Sequence, residues 1–246
     1  MDDKVYFVTG NENSLKMGLL IENILYQKKA MKKEVLLIDS NMNLLTTEQI
    51  KLNSKEKLLK NAEYFSKNKI PSISLDKLQI DLGIYKKNNS IQTLENKFND
   101  IYIFEKPDIT NFKLPLCSDE IILIITKESN SISFLFKFLK QLLDNEIENK
   151  KISIVISNIK NIEDSVGFYS NMCPEVSSLL ENNFQFNYLG FVNFDEERIS
   201  ISLNKKEAYI QTFPESAFHG YVKYIIERLN LGRTELREDS FFEQIM

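Results

Sequence analysis

Histidine occurs once in this chain of 246 residues, at His219, and cysteine twice, at Cys117 and Cys173. A single imidazole rules out a multi-histidine metal centre. The cysteines have neither C-x-x-C spacing nor a histidine cluster beside them, so no metal site or redox motif is expected and both thiols should be reduced and buried. His219 reads as a packing or surface residue. Basic charge is not in excess either: 31 Lys and Arg stand against 35 Asp and Glu, for a net charge of -4 and a pI near 5.3. That balance gives no electrostatic footprint for nucleic acid. The chain begins Met1-Asp2-Asp3-Lys4 and turns apolar at Val5, without the basic start and apolar core of a secretory leader. No apolar run approaches the about 18–20 residues of a membrane-spanning helix. A cytoplasmic protein without membrane contact is expected. With only 7 Gly and 5 Pro there is no flexible linker, and neither repeats nor low-complexity tracts interrupt the chain. The economical division is one domain over 1–232 and a C-terminal tail over 233–246.

What is present is a set of short, unbroken apolar runs rich in β-branched residues: Val5–Val8, Val35–Ile38, Ile101–Phe104, Ile121–Ile125, Ile152–Ile156 and Tyr188–Val192. Such uniform runs suit strands buried on both faces, as in parallel sheets covered by helices. Helical stripes lie between them. Met17, Leu20, Ile21, Ile24 and Leu25 form one, Ile132, Leu135, Phe136, Leu139 and Leu142 another, and Val222, Ile225, Ile226 and Leu229 a third that Gly232 should stop. The alternation predicts an α/β fold, a doubly wound, mostly parallel sheet flanked by helices. Between Lys51 and Asn99 the pattern loosens into a polar helix, the pair Ile70-Pro71, and a further strand over Leu78–Tyr85.

Ligands of such sheets sit at the carboxyl ends of the strands, near the point where strand order reverses. The first strand–helix junction reads Gly10-Asn11-Glu12-Asn13-Ser14-Leu15-Lys16-Met17. Set against the phosphate-binding pattern G-x-x-x-x-G-K-S/T, Gly10 and Lys16 match, whereas Leu15 and Met17 replace the second glycine and the hydroxyl residue.

Further segments resemble those of the MinD/ParA-like P-loop ATPases. Val35-Leu36-Leu37-Ile38-Asp39-Ser40-Asn41 is similar to their V-L-L-I-D-x-D strand, and the stretch from Ser118-Asp119-Glu120 to Ser131-Ile132 to their S-D-E…T-x-P-E-x-x-S-I segment. Ile154-Val155-Ile156-Ser157-Asn158 resembles the strand that ends in an adenine-contacting Asn. Leu189-Gly190-Phe191-Val192-Asn193-Phe194-Asp195 resembles L-G-x-I-P-x-D, and Phe213-Pro214-Glu215-Ser216-Ala217 resembles Y-P-x-S-P. An extra helix between Ile162 and Asn182 brings the likeness nearest to the FlhG/FleN (YlxH) branch, which sets flagellar number and placement. The resemblance spans nearly the whole chain, specific in order and spacing and loose in identity.

The departures from the family pattern carry the functional expectation. The family loop K-G-G-V-G-K-T appears here as Asn11 to Met17. Its glycines let backbone N–H groups close on phosphate oxygens, and here they are gone. Glu12 brings a carboxylate to where a polyphosphate would lie, Asn11 replaces the lysine that crosses a dimer interface, and Met17 replaces the Mg²⁺-binding Thr. Asn41 replaces the second acid of D-x-D. In Tyr102-Ile103-Phe104-Glu105-Lys106-Pro107-Asp108, Glu105 stands where the family has Asp and Pro107 where it has a γ-phosphate-sensing glycine. Lys16, Asp39 and Asn158 stay in register. The resemblance thus implies a vestigial nucleotide site made of Gly10, Asn11, Glu12, Asn13, Ser14, Leu15, Lys16, Met17, Asp39, Glu105 and Asn158. No catalytic residue and no metal are expected, and ATP or ADP would bind weakly if at all. The tail from Arg233 to Met246 is acidic on balance, which suits a protein partner better than anionic lipid. The expected partner is a protein, such as a flagellar GTPase or basal-body component, with a homodimer as a further expectation. The competing expectation is a divergent but active ATP-dependent dimerisation switch.

Overall fold

The unbroken apolar runs become strands buried on both faces. A computed structural model describes residues 4–39, 47–49, 70–74, 98–105, 112–180, 184–205 and 207–231. Among them run eight strands: β1 Lys4–Gly10, β2 Val35–Asp39, β3 Thr47–Gln49, β4 Ile70–Ser74, β5 Asp100–Phe104, β6 Glu120–Thr126, β7 Lys151–Ser157 and β8 Gln185–Val192. The helices described are α1 Ser14–Ala30, α2 Lys113–Cys117, α3 Ser131–Asp144, α4 Ile162–Leu179, α5 Glu196–Lys205, α6 Tyr209–Thr212 and α7 Ala217–Leu231. The strands form one sheet in the order β3-β4-β2-β5-β1-β6-β7-β8, and every pairing is parallel.

Because strand side chains alternate between faces, each run fills two cores at once. Phe7, Leu36, Ile103, Leu123 and Ile154 face one core, closed by Leu135, Leu139 and Leu142 of α3 and Met172 and Val176 of α4. Tyr6, Val8, Leu37, Phe104 and Ile122 face the other, closed by Leu20, Ile21 and Ile24 of α1 and Val222, Ile225 and Leu229 of α7. Helices on both faces of a parallel sheet make the doubly wound architecture that the sequence predicts. The three stripes lie on α1, α3 and α7, and the extra helix is α4.

Two strands were not foreseen. The pair Ile70-Pro71 carries no strand expectation, and proline cannot donate to a ladder. In the structure it opens β4, which lies between β2 and the three-residue edge strand β3 and pairs Leu37 with Ser72. The expected strand over Leu78–Tyr85, the polar helix before Ile70, and the tail from Arg233 lie outside the described residues, as do Asn41 and Pro107. Cys173 is free and buried, and burial pushes its thiol up to about 12, so it is an inert core residue.

Candidate functional site

Strand order reverses around β1, which is paired to β5 on one side and β6 on the other. The carboxyl ends of these strands converge on the loop between β1 and α1. Gly10 closes β1 against β6: a Cβ there would fall 2.0 Å from the Ile124 carbonyl oxygen, so no larger residue fits without moving the backbone. The Asn11 N–H then donates to that same carbonyl at 3.2 Å.

From Asn11 onward the loop is tied down by its own side chains. Asn11 Nδ2 donates to Ser131 Oγ at 2.8 Å and to Thr126 Oγ1 at 3.1 Å, while its Oδ1 accepts the Thr126 N–H at 2.9 Å. This fixes the loop to the end of β6 and the start of α3. Glu12 is 7% exposed. Its Oε2 accepts from Ser157 Oγ at 2.6 Å and Asn158 Nδ2 at 2.7 Å, and its Oε1 accepts the Asn13 N–H at 2.8 Å. Asn158 holds a left-handed backbone, φ 59°, at the end of β7. Asn13 caps α1, its side chain accepting the Leu15 N–H at 2.8 Å.

The first turn of α1 places the remaining loop residues. Ser14 and Leu15 are exposed, Leu15 at 48%. Met17 is 0% exposed and points into the core shared by α1 and α7. Lys16 reaches sideways to Glu196 at the start of α5, Nζ to Oε1 at 2.6 Å, and lies 5.7 Å from the centre of the Phe194 ring. Its side chain is 20% exposed against 71% for Glu196, so this pair faces solvent on one side and contributes little to stability.

Two acids complete the rim. Asp39 is buried at the end of β2, in register with Phe104 of β5 and Ser74 of β4. Glu105 follows β5, its N–H donating to the Val8 carbonyl at 3.1 Å. Among the described residues its buried Oε2 has no hydrogen-bond partner, and neither has Thr9 Oγ1 on the neighbouring strand. Burial pushes the Glu105 carboxyl up to about 7.

The structure therefore joins Glu12, Asn13 and Asn158 by hydrogen bonds just after Gly10 and Asn11. Ser14 and Leu15 instead face solvent, Lys16 turns to Glu196 and Met17 enters the core, while Asp39 ends β2 and Glu105 follows β5. Sequence reasoning missed the partners: Thr126, Ser131, Ser157 and Glu196. The signals were faint. Ser157 adjoins the quoted Asn158 and Ser131 begins a helix, but nothing local says that either faces the first loop. The residues suit Mg-nucleotide poorly, because the thioether in the Thr position is in the core and the one loop cation is engaged by an acid. Among the described residues no group of three or more His, Cys, Asp or Glu side chains is placed to hold a metal ion.

Neither protein-family models nor curated proteins give a match to this sequence. Solved structures do. The MinD of the Aquifex aeolicus MinC:MinD cell division complex superposes with a TM-score of 0.64 at 14% identity, covering 97% of this chain and 99% of that one. A ParA family ATPase from Chlorobium tepidum gives 0.59 at 12% identity, covering 92% and 98%. ParA of pNOB8, bound to nonspecific DNA, gives 0.58 at 14% identity, covering 94% and 100%. At these identities the likeness is one of fold: the sheet and its helices are those of the MinD/ParA type of P-loop ATPase.

Proposed function

We propose that this chain is a non-hydrolysing regulatory protein on an ATPase-type scaffold, acting through a protein partner. The observation that carries this reading is the first turn of α1. Phosphoryl transfer is largely positioning and charge neutralisation, so it needs a metal ligand and a free cation at the phosphates. Here Met17 turns a thioether into the core and Lys16 is drawn to Glu196. A thioether is a poor ligand for Mg²⁺ at any distance. The fold allows a switch, but the loop lacks the groups that would drive it.

The finer reading is that the partner is a flagellar GTPase or basal-body component, so that the chain acts in flagellar number or placement. Its support is the helix α4 in the place where the FlhG/FleN resemblance puts an extra helix, and nothing in the site itself. The one specific observation in favour of the alternative, an active ATP-dependent dimerisation switch, is that Asp39 and Glu105 sit at the carboxyl ends of the neighbouring strands β2 and β5, with Lys16 in the first turn of the helix after β1.

Hydrolysis and thermal unfolding decide between them. The expected outcome is no ATP turnover above buffer and an unfolding midpoint that millimolar ATP or ADP with Mg²⁺ leaves unmoved. A ligand at 100 times its dissociation constant would raise it by roughly 5–10 °C in a chain of this size. Turnover that disappears in Lys16→Ala would overturn the proposal and leave the switch.

A further inference from the structure

We infer that Glu12 is an autoinhibitory plug, the chain's own anion seated in an oxyanion receptor that would otherwise face an external ligand. The inference rests on the reading above that the loop takes no nucleotide, and adds why. Three donors of different kinds converge on this carboxylate: the Ser157 hydroxyl, the Asn158 amide and the Asn13 backbone N–H, at 2.6, 2.7 and 2.8 Å. They come from the loop after β1 and the end of β7, segments 145 residues apart. Among the described residues no cation pairs with Glu12. A buried carboxylate held by neutral donors alone is a recognition arrangement rather than an ion pair, because every contact matches a lone pair of an oxyanion.

Two features show that the receptor is held in place. Asn158 aims its amide at Glu12 from a left-handed backbone that few residues other than glycine adopt. Asn11 is fastened separately to Thr126 and Ser131, so the loop stays seated on β6 beside Glu12. With the carboxylate removed, the Asn158 amide and the Asn13 N–H lose their acceptor, and the Ser157 hydroxyl keeps only the longer contact to the Ile125 carbonyl at 3.4 Å. They are then a site for a phosphate oxyanion, whether free or carried by a nucleotide.

The test is a titration of wild type and Glu12→Ala with inorganic phosphate, and separately with ADP without metal, against chloride of equal ionic strength. Phosphate is expected to raise the unfolding midpoint of Glu12→Ala by about 5 °C at saturation and wild type by less than about 1 °C. Adding Ser157→Ala to Glu12→Ala should remove that response. A response to ADP but not to free phosphate would place the ligand on a nucleotide. Three results overturn the inference: a folded Glu12→Ala that responds to neither anion, an equal response in wild type, or a response that survives Ser157→Ala. If Glu12→Ala does not fold, Glu12→Ser is read by the same criteria. Folding of either variant only in phosphate supports the plug, and failure of both even in phosphate makes Glu12 a structural strut and overturns it. Hydrolysis by wild type would refute the proposed function instead, which keeps the two failures apart.

Discussion

Glu105 follows the central strand β5 with one buried carboxylate oxygen unmatched among the described residues, and its acid is pushed up to about 7 from 4.5 by burial alone. A carboxyl that holds its proton more tightly folded than unfolded stabilises fully below its unfolded value and loses that contribution as pH rises through the folded one. Above about pH 7 the native state therefore carries an ionised, poorly solvated acid. Glu105→Gln, uncharged at every pH, should match wild type near pH 4.5 and gain on it up to about pH 7, then level off. Allowing for solvent screening, the plateau difference is about 1–2 kcal/mol. Denaturant unfolding of both proteins at about pH 5 and about pH 8 checks it, and parallel stabilities at the two pH values would refute it. At the other end of the same strand Asp100 meets Lys28 of α1, a charge buried more deeply than Glu105 but matched. The Lys28 Nζ lies 2.7 Å from Asp100 and over the rings of Tyr6 and Tyr102, and burial still lowers its pKa despite the acid. The two ends of β5 thus differ in kind: one charge is matched and belongs to the fold, the other is unmatched and lies at the rim of the candidate site.

The helices show which parts of this architecture local sequence specifies. Helix α4 begins with a complete N-terminal signal: Asn161 in extended conformation, its Oδ1 accepting the Asp164 N–H at 2.8 Å, with Glu163 and Asp164 in the first turn. Asn161→Ala should cost about 1 kcal/mol, read as a lower denaturant midpoint at unchanged slope, while Asn161→Ser or Asn161→Asp should cost a few tenths. An alanine variant as stable as wild type would mean that the cap contributes nothing. The apolar runs and stripes made β1, β2, β5 to β8 and the helices α1, α3 and α7 readable, because each carries its own period, whereas α4 was expected only from the family resemblance. Strands β3 and β4 were not readable, being three and five residues long, with Pro71 where a ladder donor is expected. The strand character of β4 comes from its pairing with β2, and that of β3 from its pairing with β4, not from their own residues. The site divides in the same way. Gly10 and Lys16 are placed by spacing within one junction. The seat of Glu12 depends on Ser157 and Asn158, and the direction of Lys16 on Glu196, contacts closed by the fold over long stretches of chain that no local pattern encodes.

At the scale of the molecule, fold and charge point to different partners. One structure of the same fold, ParA of pNOB8, is bound to nonspecific DNA, whereas the MinD of Aquifex aeolicus is in complex with the protein MinC. Nonspecific DNA binding is driven by counterion release, and each phosphate neutralised needs a Lys or Arg brought to the backbone. This chain carries 31 such residues against 35 acids, so any basic face is opposed by a larger number of acids elsewhere. Two of its cations are also committed inside the fold: Lys28 is buried on Asp100 and Arg228 donates to the Tyr188 carbonyl at 3.0 Å. The chain is therefore expected not to retard duplex DNA at roughly 50 mM salt, where counterion release is most favourable, with or without ATP. Retardation that weakens with salt at a log–log slope of about −0.9 for each phosphate contacted would refute this. It would reveal a basic face that net charge conceals, and the search for a partner would pass from proteins to DNA. Absence of retardation would leave the proposed protein partner standing, on a fold that other proteins use with either kind of partner.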